Sequence, residues 1–159
     1  KRAGKGEVEY AHVRIPAPDA SSYAVHKSMQ GNKRKDTKPE LLVRQRLREA
    51  GLGGYRLQWK VPGHPDVAWP GKKVALFMHG CYWHRCPHCN LSLPKKNTEY
   101  WVAKFNRNQE RDAQNEAALI ADGWKVHVIW ECELKKGKRE ETFAKLLPEL
   151  AHELGKELR

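Results

Sequence analysis

The sequence contains no apolar run that approaches the roughly twenty residues of a membrane-spanning helix, and no signal-peptide core stands at its start. It also lacks internal repeats and low-complexity tracts. These absences favour a soluble, cytosolic protein. At 159 residues the chain has the size of one domain with a self-supporting core. The first residue is not methionine, which suggests a trimmed N-terminus.

Acidic residues are scarce relative to basic ones. Nineteen Asp and Glu stand against 30 Lys and Arg, which gives a net charge of +11 and a pI near 9.6. This imbalance exceeds what solubility requires and is typical of proteins that meet polyanions. A membrane surface would also attract the charge, but nucleic acid is the leading partner.

Cysteines are few, and their spacing favours metal ligation over disulfides. The four are Cys81, Cys86, Cys89 and Cys132, and no secretory signal accompanies them. A C-x-x-C knuckle with one cysteine before it and one far downstream is the usual arrangement of a tetrahedral structural zinc site. Histidines near the knuckle could each replace a thiolate, and His88 inside it is the first alternative to Cys89.

Local patterns divide the chain into an arm and a domain. Residues 1–22 are predicted to be a flexible basic arm and residues 23–159 a single domain. Thr37 and Glu40 form a capping-box pattern, and Thr98 can cap a second helix. The predicted elements are a helix over 37–50, strands over 55–61, 65–69 and 72–80, a helix over 98–122, a strand over 124–130 and a helix over 140–154. This order predicts a mixed α/β sheet with helices on its faces.

One stripe of the second long helix carries a carboxylate. Trp101, Phe105, Asn108 and Asp112 follow one another at steps of four, three and four residues. Asp112 is therefore predicted on the inward face, where a buried carboxylate needs a partner. The alternative is a surface ion pair with the neighbouring arginines, Arg107 or Arg111.

Asp66 and two histidines are candidates for hydrolytic chemistry. Asp66 enters one predicted strand, and the following strand ends in His79, with His84 just beyond. Metal-dependent nucleases hold a divalent cation on a carboxylate in such a hairpin, where the cation neutralises charge and activates water. A Pro-Asp pair is also common in ordinary turns. Histidines held by a zinc-ordered loop suit acid or base catalysis, because the unperturbed pKa of imidazole is near neutrality.

These motifs resemble those of the very short patch repair endonucleases. The segments that carry the resemblance are SMQGNKRKDTKPELLVRQRLREAGL, PGHPDVAW, FMHGCYWHRCPHC, KKNTEYWVAKFNRNQERD and GWKVHVIWEC, between residues 23 and 134. The resemblance implies a restriction-endonuclease-like α/β fold with a structural zinc. It also implies magnesium-dependent nicking of duplex DNA on the 5′ side of the T in T:G mismatches, which arise when 5-methylcytosine deaminates.

The resemblance also implies roles for individual residues. Asp66 matches the magnesium-binding aspartate, His79 and His84 match the two active-site histidines, and Asp112 matches the carboxylate that supports them. Glu40 matches an acidic residue near the metal, although its capping-box role would explain its position equally well. Met78 stands where the family often has threonine, and we expect methionine to suffice if only a backbone carbonyl binds the metal.

Further matches concern zinc and aromatic side chains. Cys81, Cys86 and Cys132 fall on the family's zinc-ligand positions, with Cys89 preferred over His88 as the remaining ligand. Tyr82, Trp83 and Trp101 match aromatic residues that wedge into the DNA stack beside the mismatch, which is physically reasonable where base pairing is already faulty. Core packing is the alternative for each aromatic residue and is favoured for the tryptophans in predicted strands away from the cysteines, namely Trp59, Trp124 and Trp130.

Three rival functions fit parts of the sequence. A non-catalytic zinc-stabilised DNA-binding module explains the charge and the cysteines, but it leaves Asp66 and Asp112 without a task. A homing or restriction-type nuclease would cut matched DNA, and an RNA-binding protein would prefer single strands. For the repair enzyme we expect a bacterial, cytoplasmic monomer without membrane contact. Other mismatch-repair proteins and a repair polymerase are its expected protein partners.

Overall fold

The computed structural model describes residues 18–19 and 36–159, which contain four strands and four α-helices. The helices are α1 (Lys38–Glu49), α2 (Cys81–His84), α3 (Thr98–Ala121) and α4 (Arg139–Leu154). The strands are β1 (Arg56–Leu57), β2 (Val67–Trp69), β3 (Val74–His79) and β4 (Lys125–Trp130). No helix in these ranges is long and apolar enough to cross a membrane. The predicted arm, residues 1–22, lies outside the described residues except for Pro18 and Asp19.

The strands form one mixed sheet in the order β1-β2-β3-β4. β1 and β2 are antiparallel, as are β2 and β3, whereas β3 and β4 run parallel. The crossover between the two parallel strands contains α3, as a parallel connection requires. The predicted mixed α/β sheet with flanking helices is therefore confirmed.

Alternation along β3 places two apolar layers on opposite faces of the sheet. Val74 and Leu76 belong to the larger core cluster, together with apolar residues of α1 and α4. Ala75 and Phe77 belong to a second cluster with Leu119 of α3. Successive strand side chains point to opposite faces, so this period-two pattern buries β3 on both sides.

The helices begin at the predicted places but are not capped as predicted. Thr37 precedes α1 without a side-chain cap hydrogen bond, and Glu40 instead accepts a hydrogen bond from the Asp36 N–H at 2.7 Å. Asn97, with φ +55°, is the N-cap of α3, while the Thr98 hydroxyl donates to the carbonyl of Pro94 at 2.9 Å. The capping-box prediction is wrong because the Glu40 carboxylate closes the turn one residue earlier.

The strand predicted over 55–61 is also wrong in extent. β1 contains only Arg56 and Leu57, because Gln58 adopts a left-handed conformation with φ +48° and ends the pairing. Trp59 therefore lies outside a strand, and it packs against the second core cluster.

Candidate active site and metal centre

Asp66 lies directly before β2 and lines a cavity of about 430 Å³. Its Oδ2 accepts a hydrogen bond from the Met78 N–H at 2.7 Å, and its Oδ1 accepts one from Gln58 Nε2 at 3.2 Å. Burial raises the pKa of Asp66 above its ordinary value, and the two hydrogen bonds act in the opposite direction. A cation at this carboxylate would offset the cost of burying its charge.

Glu40 lines the same cavity from the first turn of α1 and is only 5% exposed. Its Oε2 accepts a hydrogen bond from Arg44 Nη2 at 3.2 Å, and Arg44 Nη1 donates to Asp36 at 2.7 Å. Burial, and after it the negative charge of Asp66, raises the pKa of Glu40. Glu40 thus both organises the start of α1 and adds carboxylate oxygen to the cavity, where hard divalent cations find the ligands they prefer.

His79 and His84 form a stacked pair at the end of β3. Their ring centroids lie 4.1 Å apart at an interplanar angle of 23°. Burial, followed by the charge of His84, lowers the pKa of His79 to about 4, although Asp112 acts in the opposite direction. Two imidazolium rings in face-to-face contact would repel each other, so His79 is neutral at pH 7 and can accept a proton.

Asp112 faces this pair from α3. Its Oδ2 lies 2.5 Å from His84 Nδ1, and both side chains are about 30% exposed (30% for His84, 29% for Asp112). A proton on Nδ1 then donates to the carboxylate, which fixes the ring's orientation and leaves Nε2 for the cavity. The alternative surface pair of Asp112 with Arg107 or Arg111 is not formed in the described part of the chain.

The stripe of α3 also holds the short helix α2. Phe105 is buried, and Asn108 Nδ2 donates to the carbonyl of Trp83 at 3.2 Å. The side-chain oxygen of Asn108 accepts a hydrogen bond from Arg111 Nη2 at 2.5 Å. Helical spacing thus brings three successive groups of α3 against α2, with Asp112 at the end next to the histidine pair.

The four cysteines meet beside the histidine pair. The Sγ atoms of Cys81, Cys86, Cys89 and Cys132 all lie within 4.8 Å of one another, and those of Cys86 and Cys132 are 3.6 Å apart. Ligands at about 2.3 Å from a tetrahedral zinc stand about 3.8 Å apart, so the set fits such an ion. Burial raises the pKa of Cys132 to about 12, with the neighbouring thiols adding to the effect. A bound cation would favour the thiolate form of Cys132 at pH 7.

Backbone donors complete the cysteine cluster. The Cys132 N–H donates to Cys81 Sγ at 3.3 Å, and the His88 N–H donates to Cys86 Sγ at 3.4 Å. Hydrogen bonds of this kind stabilise negative charge on sulfur. Cys89 supplies the fourth sulfur atom, whereas the exposed His88 takes part through its backbone.

The three candidate wedge residues lie together next to the cavity. Tyr82 and Trp83 meet edge to face with centroids 5.1 Å apart, and Trp83 lies 5.8 Å from Trp101. Tyr82 is 38% exposed, and Lys104 Nζ stands 5.4 Å from the ring centroids of both tryptophans. Tyr82 thus offers accessible aromatic surface on the same short helix as His84, while Trp101 and the cation of Lys104 come from α3.

Of the three tryptophans predicted to pack in the core away from the cysteines, two do so and one lies elsewhere. Trp59 and Trp124 pack in the second core cluster, as core packing requires. Trp130 does not lie away from the cysteines: it packs against their cluster, and its ring is 5.3 Å from that of His79. The reason is the parallel pairing of β3 with β4, which places Trp130 opposite His79.

Two residues of the site escaped the sequence analysis. Gln58 contacts Asp66, and Arg44 bridges Glu40 and Asp36. The spacing of Arg44 four residues after Glu40 on a helix was an available signal for the ion pair. Gln58 was missed because the predicted strand continued to residue 61. In the structure the strand ends at Leu57, and the side chain of Gln58 can therefore turn toward Asp66.

Comparison of the sequence with known proteins finds a matching family model and several relatives. Residues 22–91 match the model of the family described as DNA mismatch endonuclease Vsr. The chain is 44% identical over 108 residues to the type II nicking enzyme V.XorIIP of Xanthomonas oryzae pv. oryzae, an alignment that covers 67% of this chain and 78% of the relative. It is 43% identical over 102 residues to the type II nicking enzyme V.NmeAIP of Neisseria meningitidis serogroup A, covering 64% and 72%. It is 36% identical over 111 residues to the DNA mismatch endonuclease Vsr of Escherichia coli strain K12, covering 69% and 70%.

Proposed function

The chain belongs to the DNA mismatch endonuclease Vsr family and is a DNA endonuclease, and we propose that it nicks the T-containing strand of a T:G mismatch on the 5′ side of the T. The observation that carries the proposal is one cavity that unites Asp66 with the pair of His79 and His84, beside an aromatic cluster in which Tyr82 is exposed. The nick would start very short patch repair back to C:G.

The cavity supports a metal-dependent hydrolysis. Asp66 would hold magnesium, with the backbone carbonyl of Met78 and the carboxylate of Glu40 as further oxygen ligands. Bound there, the ion would neutralise phosphate charge and lower the pKa of water. The fit rests on the donor set: a buried carboxylate whose pKa is raised by burial, and a second carboxylate nearby.

Protons move through the histidine pair. Neutral His79 takes a proton from the water whose oxygen attacks phosphorus in line. His84, oriented by Asp112, protonates the departing 3′ oxygen through Nε2 as the bond between phosphorus and that oxygen breaks. The products are a 3′-hydroxyl and a 5′-phosphate. His79 then releases its proton to solvent and His84 takes one up from solvent, which returns both rings to their starting protonation states.

Zinc and aromatic residues would shape the substrate side. We assign structural zinc to the cysteines, where four sulfur atoms converge. Tyr82, Trp83 and Trp101 would insert beside the mismatch, because a T:G pair is easier to unstack than a matched pair. The sheet with its flanking helices is assigned to the restriction-endonuclease-like class.

The enzyme would act as a monomer on DNA in the bacterial cytoplasm, since nicking one strand needs one active site. A repair polymerase would extend the nicked strand, and other mismatch-repair proteins would meet the same duplex. A second candidate is nicking of matched duplexes by the same cavity, since the names of two relatives, both type II nicking enzymes, specify nicking without a mismatch. Membership of an endonuclease family removes the support for a non-catalytic DNA-binding module.

Strand-resolved cleavage of labelled duplexes tests the proposal. One duplex carries a single T:G mismatch, and T:A and C:G duplexes serve as controls, each with magnesium or with chelator and in several flanking sequences. We expect magnesium-dependent nicking of the T strand alone, lost in Asp66→Ala and kept in Asp122→Asn, whose side chain is 70% exposed. Equal nicking of the matched duplexes would overturn the mismatch specificity. Full activity of Asp66→Ala would overturn the assigned site.

A further inference from the structure

Gln58 combines an unfavourable backbone conformation with a contact to the active site. Its φ is +48°, and it immediately follows β1. Left-handed backbone is unfavourable for a residue with a Cβ, and such outliers persist where the surrounding structure or a function requires them. The residue lines the cavity that contains Asp66.

The hairpin register explains which group Gln58 meets. Leu57 pairs with Val67, so an antiparallel continuation sets the next residue, Gln58, opposite Asp66. Instead of continuing the ladder, the backbone turns, and Gln58 Nε2 donates to Asp66 Oδ1 at 3.2 Å. The Met78 N–H donates to the other oxygen at 2.7 Å.

These hydrogen bonds hold the carboxylate and leave room for a cation. A carboxylate accepts about four hydrogen bonds, and Gln58, Met78 and the backbone N–H of Asp66 itself supply three donors. The amide of Gln58 is neutral, and it therefore orients Asp66 without cancelling the charge that attracts the metal. A lysine at the same place would neutralise that charge and compete with the ion.

We propose that Gln58 is a positioning residue that orients Asp66 for a divalent cation. The inference rests on the proposed function, because that function puts the catalytic magnesium on Asp66. Groups that orient a metal-binding carboxylate commonly change metal affinity by about 10- to 100-fold when removed.

Asparagine separates this role from a structural one. Asn tolerates the left-handed conformation better than Gln and keeps the amide, but it withdraws that amide by one methylene. If Gln58 only ends the strand, Gln58→Asn should behave like the natural protein. Gln45→Asn is the matched control, since Gln45 Nε2 also donates to a carboxylate, that of Glu49 at 2.9 Å, on an exposed part of α1.

Metal binding is measured directly, without substrate. Mn²⁺ is titrated into the zinc-loaded proteins, and free Mn²⁺ is followed by its electron paramagnetic resonance signal. Binding lost in Asp66→Asn defines the Asp66-dependent site. We expect Gln58→Asn to weaken that binding about tenfold or more, and to raise by a similar factor the magnesium concentration for half-maximal nicking. Zinc content and the melting temperature of each variant show that the fold is kept.

Two results would overturn the proposal, and only one of them would also contradict the metal site of the proposed function. Natural-like Mn²⁺ affinity and magnesium dependence in Gln58→Asn would refute the role of Gln58 alone. Equal Mn²⁺ binding by the natural protein and Asp66→Asn would show that no cation depends on Asp66. That result would remove the metal site of the proposed function together with the role of Gln58.

Discussion

Replacing His79 by phenylalanine should make the protein less sensitive to acid. The ring of His79 is enclosed by three aromatic side chains, with centroids 4.1 Å from His84, 5.3 Å from Trp130 and 5.9 Å from Phe77. Phenylalanine keeps a ring in this environment and removes the titrating nitrogen atoms. The free energy of unfolding then depends less on pH.

The sign and size follow from the lowering of the His79 pKa from 6.5 to about 4. Between these values the unfolded chain binds a proton that the folded protein excludes, so acidification through this window favours unfolding. A pKa lowered by roughly 2.5, at about 1.36 kcal/mol per pH unit, amounts to roughly 3 kcal/mol, lost as the pH falls from 6.5 to 4 and fully regained above 6.5. The His79→Phe variant avoids this loss, because its phenyl ring binds no proton in either state.

Urea unfolding between pH 7.5 and 4 measures the effect as a difference between the natural protein and His79→Phe. Both proteins keep the four cysteines, so acid effects at that cluster cancel in the difference. His152→Phe, at an exposed position of α4, controls for the loss of a histidine as such. If acidification from pH 7.5 to 4 lowers the free energy of unfolding by the same amount in the natural protein and in His79→Phe, the argument that burial keeps His79 neutral is refuted.

Three further predictions concern the metal cluster, the catalytic pair and the core. Cys132→Ser should lose the zinc that atomic absorption finds in the natural protein and should melt at a lower temperature; unchanged zinc content would contradict the four-sulfur site. Asp112→Asn should slow nicking of a T:G duplex about 100-fold or more with DNA binding retained, because the amide no longer holds His84 in one tautomer; a rate equal to that of Asp122→Asn would contradict this. Leu150→Ala, at a fully buried position, should lower the free energy of unfolding in urea by about 2–5 kcal/mol; the exposed Leu41→Ala should lower it far less, and equal losses would contradict the assignment of the core.

Sequence periodicity predicted those elements whose residues interact mainly along the chain. Apolar spacing gave α1 and α3 to within about a residue or two, the usual uncertainty of helix ends. Two apolar segments on either side of Pro70-Gly71 predicted β2 and β3. Each of these patterns involves residues that are close together in the sequence, so it predicts an element without knowledge of the segments that pack against it.

Contacts between distant segments were beyond such patterns. The predicted zinc site already placed Cys132 near Cys81, but the contact of Trp130 with His79 depends on the parallel register of β3 with β4, which local patterns do not specify. The left-handed turn at Gln58 accompanies its hydrogen bond to the carboxylate of Asp66 on the next strand segment, a contact between residues eight positions apart. The choice of Asp112 between His84 and the neighbouring arginines required the docking of α3 on α2, because either partner satisfies a carboxylate locally.

The metal cluster and the catalytic cavity share one short piece of backbone, and this constrains how variants are interpreted. His79 ends β3, and Cys81 begins α2 two residues later, at most about 7 Å away along the chain. His84 ends that same helix, and its ring contacts Asp112 and stacks on His79. A metal ion that fixes Cys81 therefore also fixes the segment that presents both histidines. Loss of nicking in a cysteine variant would accordingly reflect displaced histidines rather than a catalytic thiol. Metal binding at Asp66 would show in such a variant whether the rest of the cavity is kept, because Asp66 lies at the start of β2 and is held by Gln58 and by the backbone of Met78 rather than by α2.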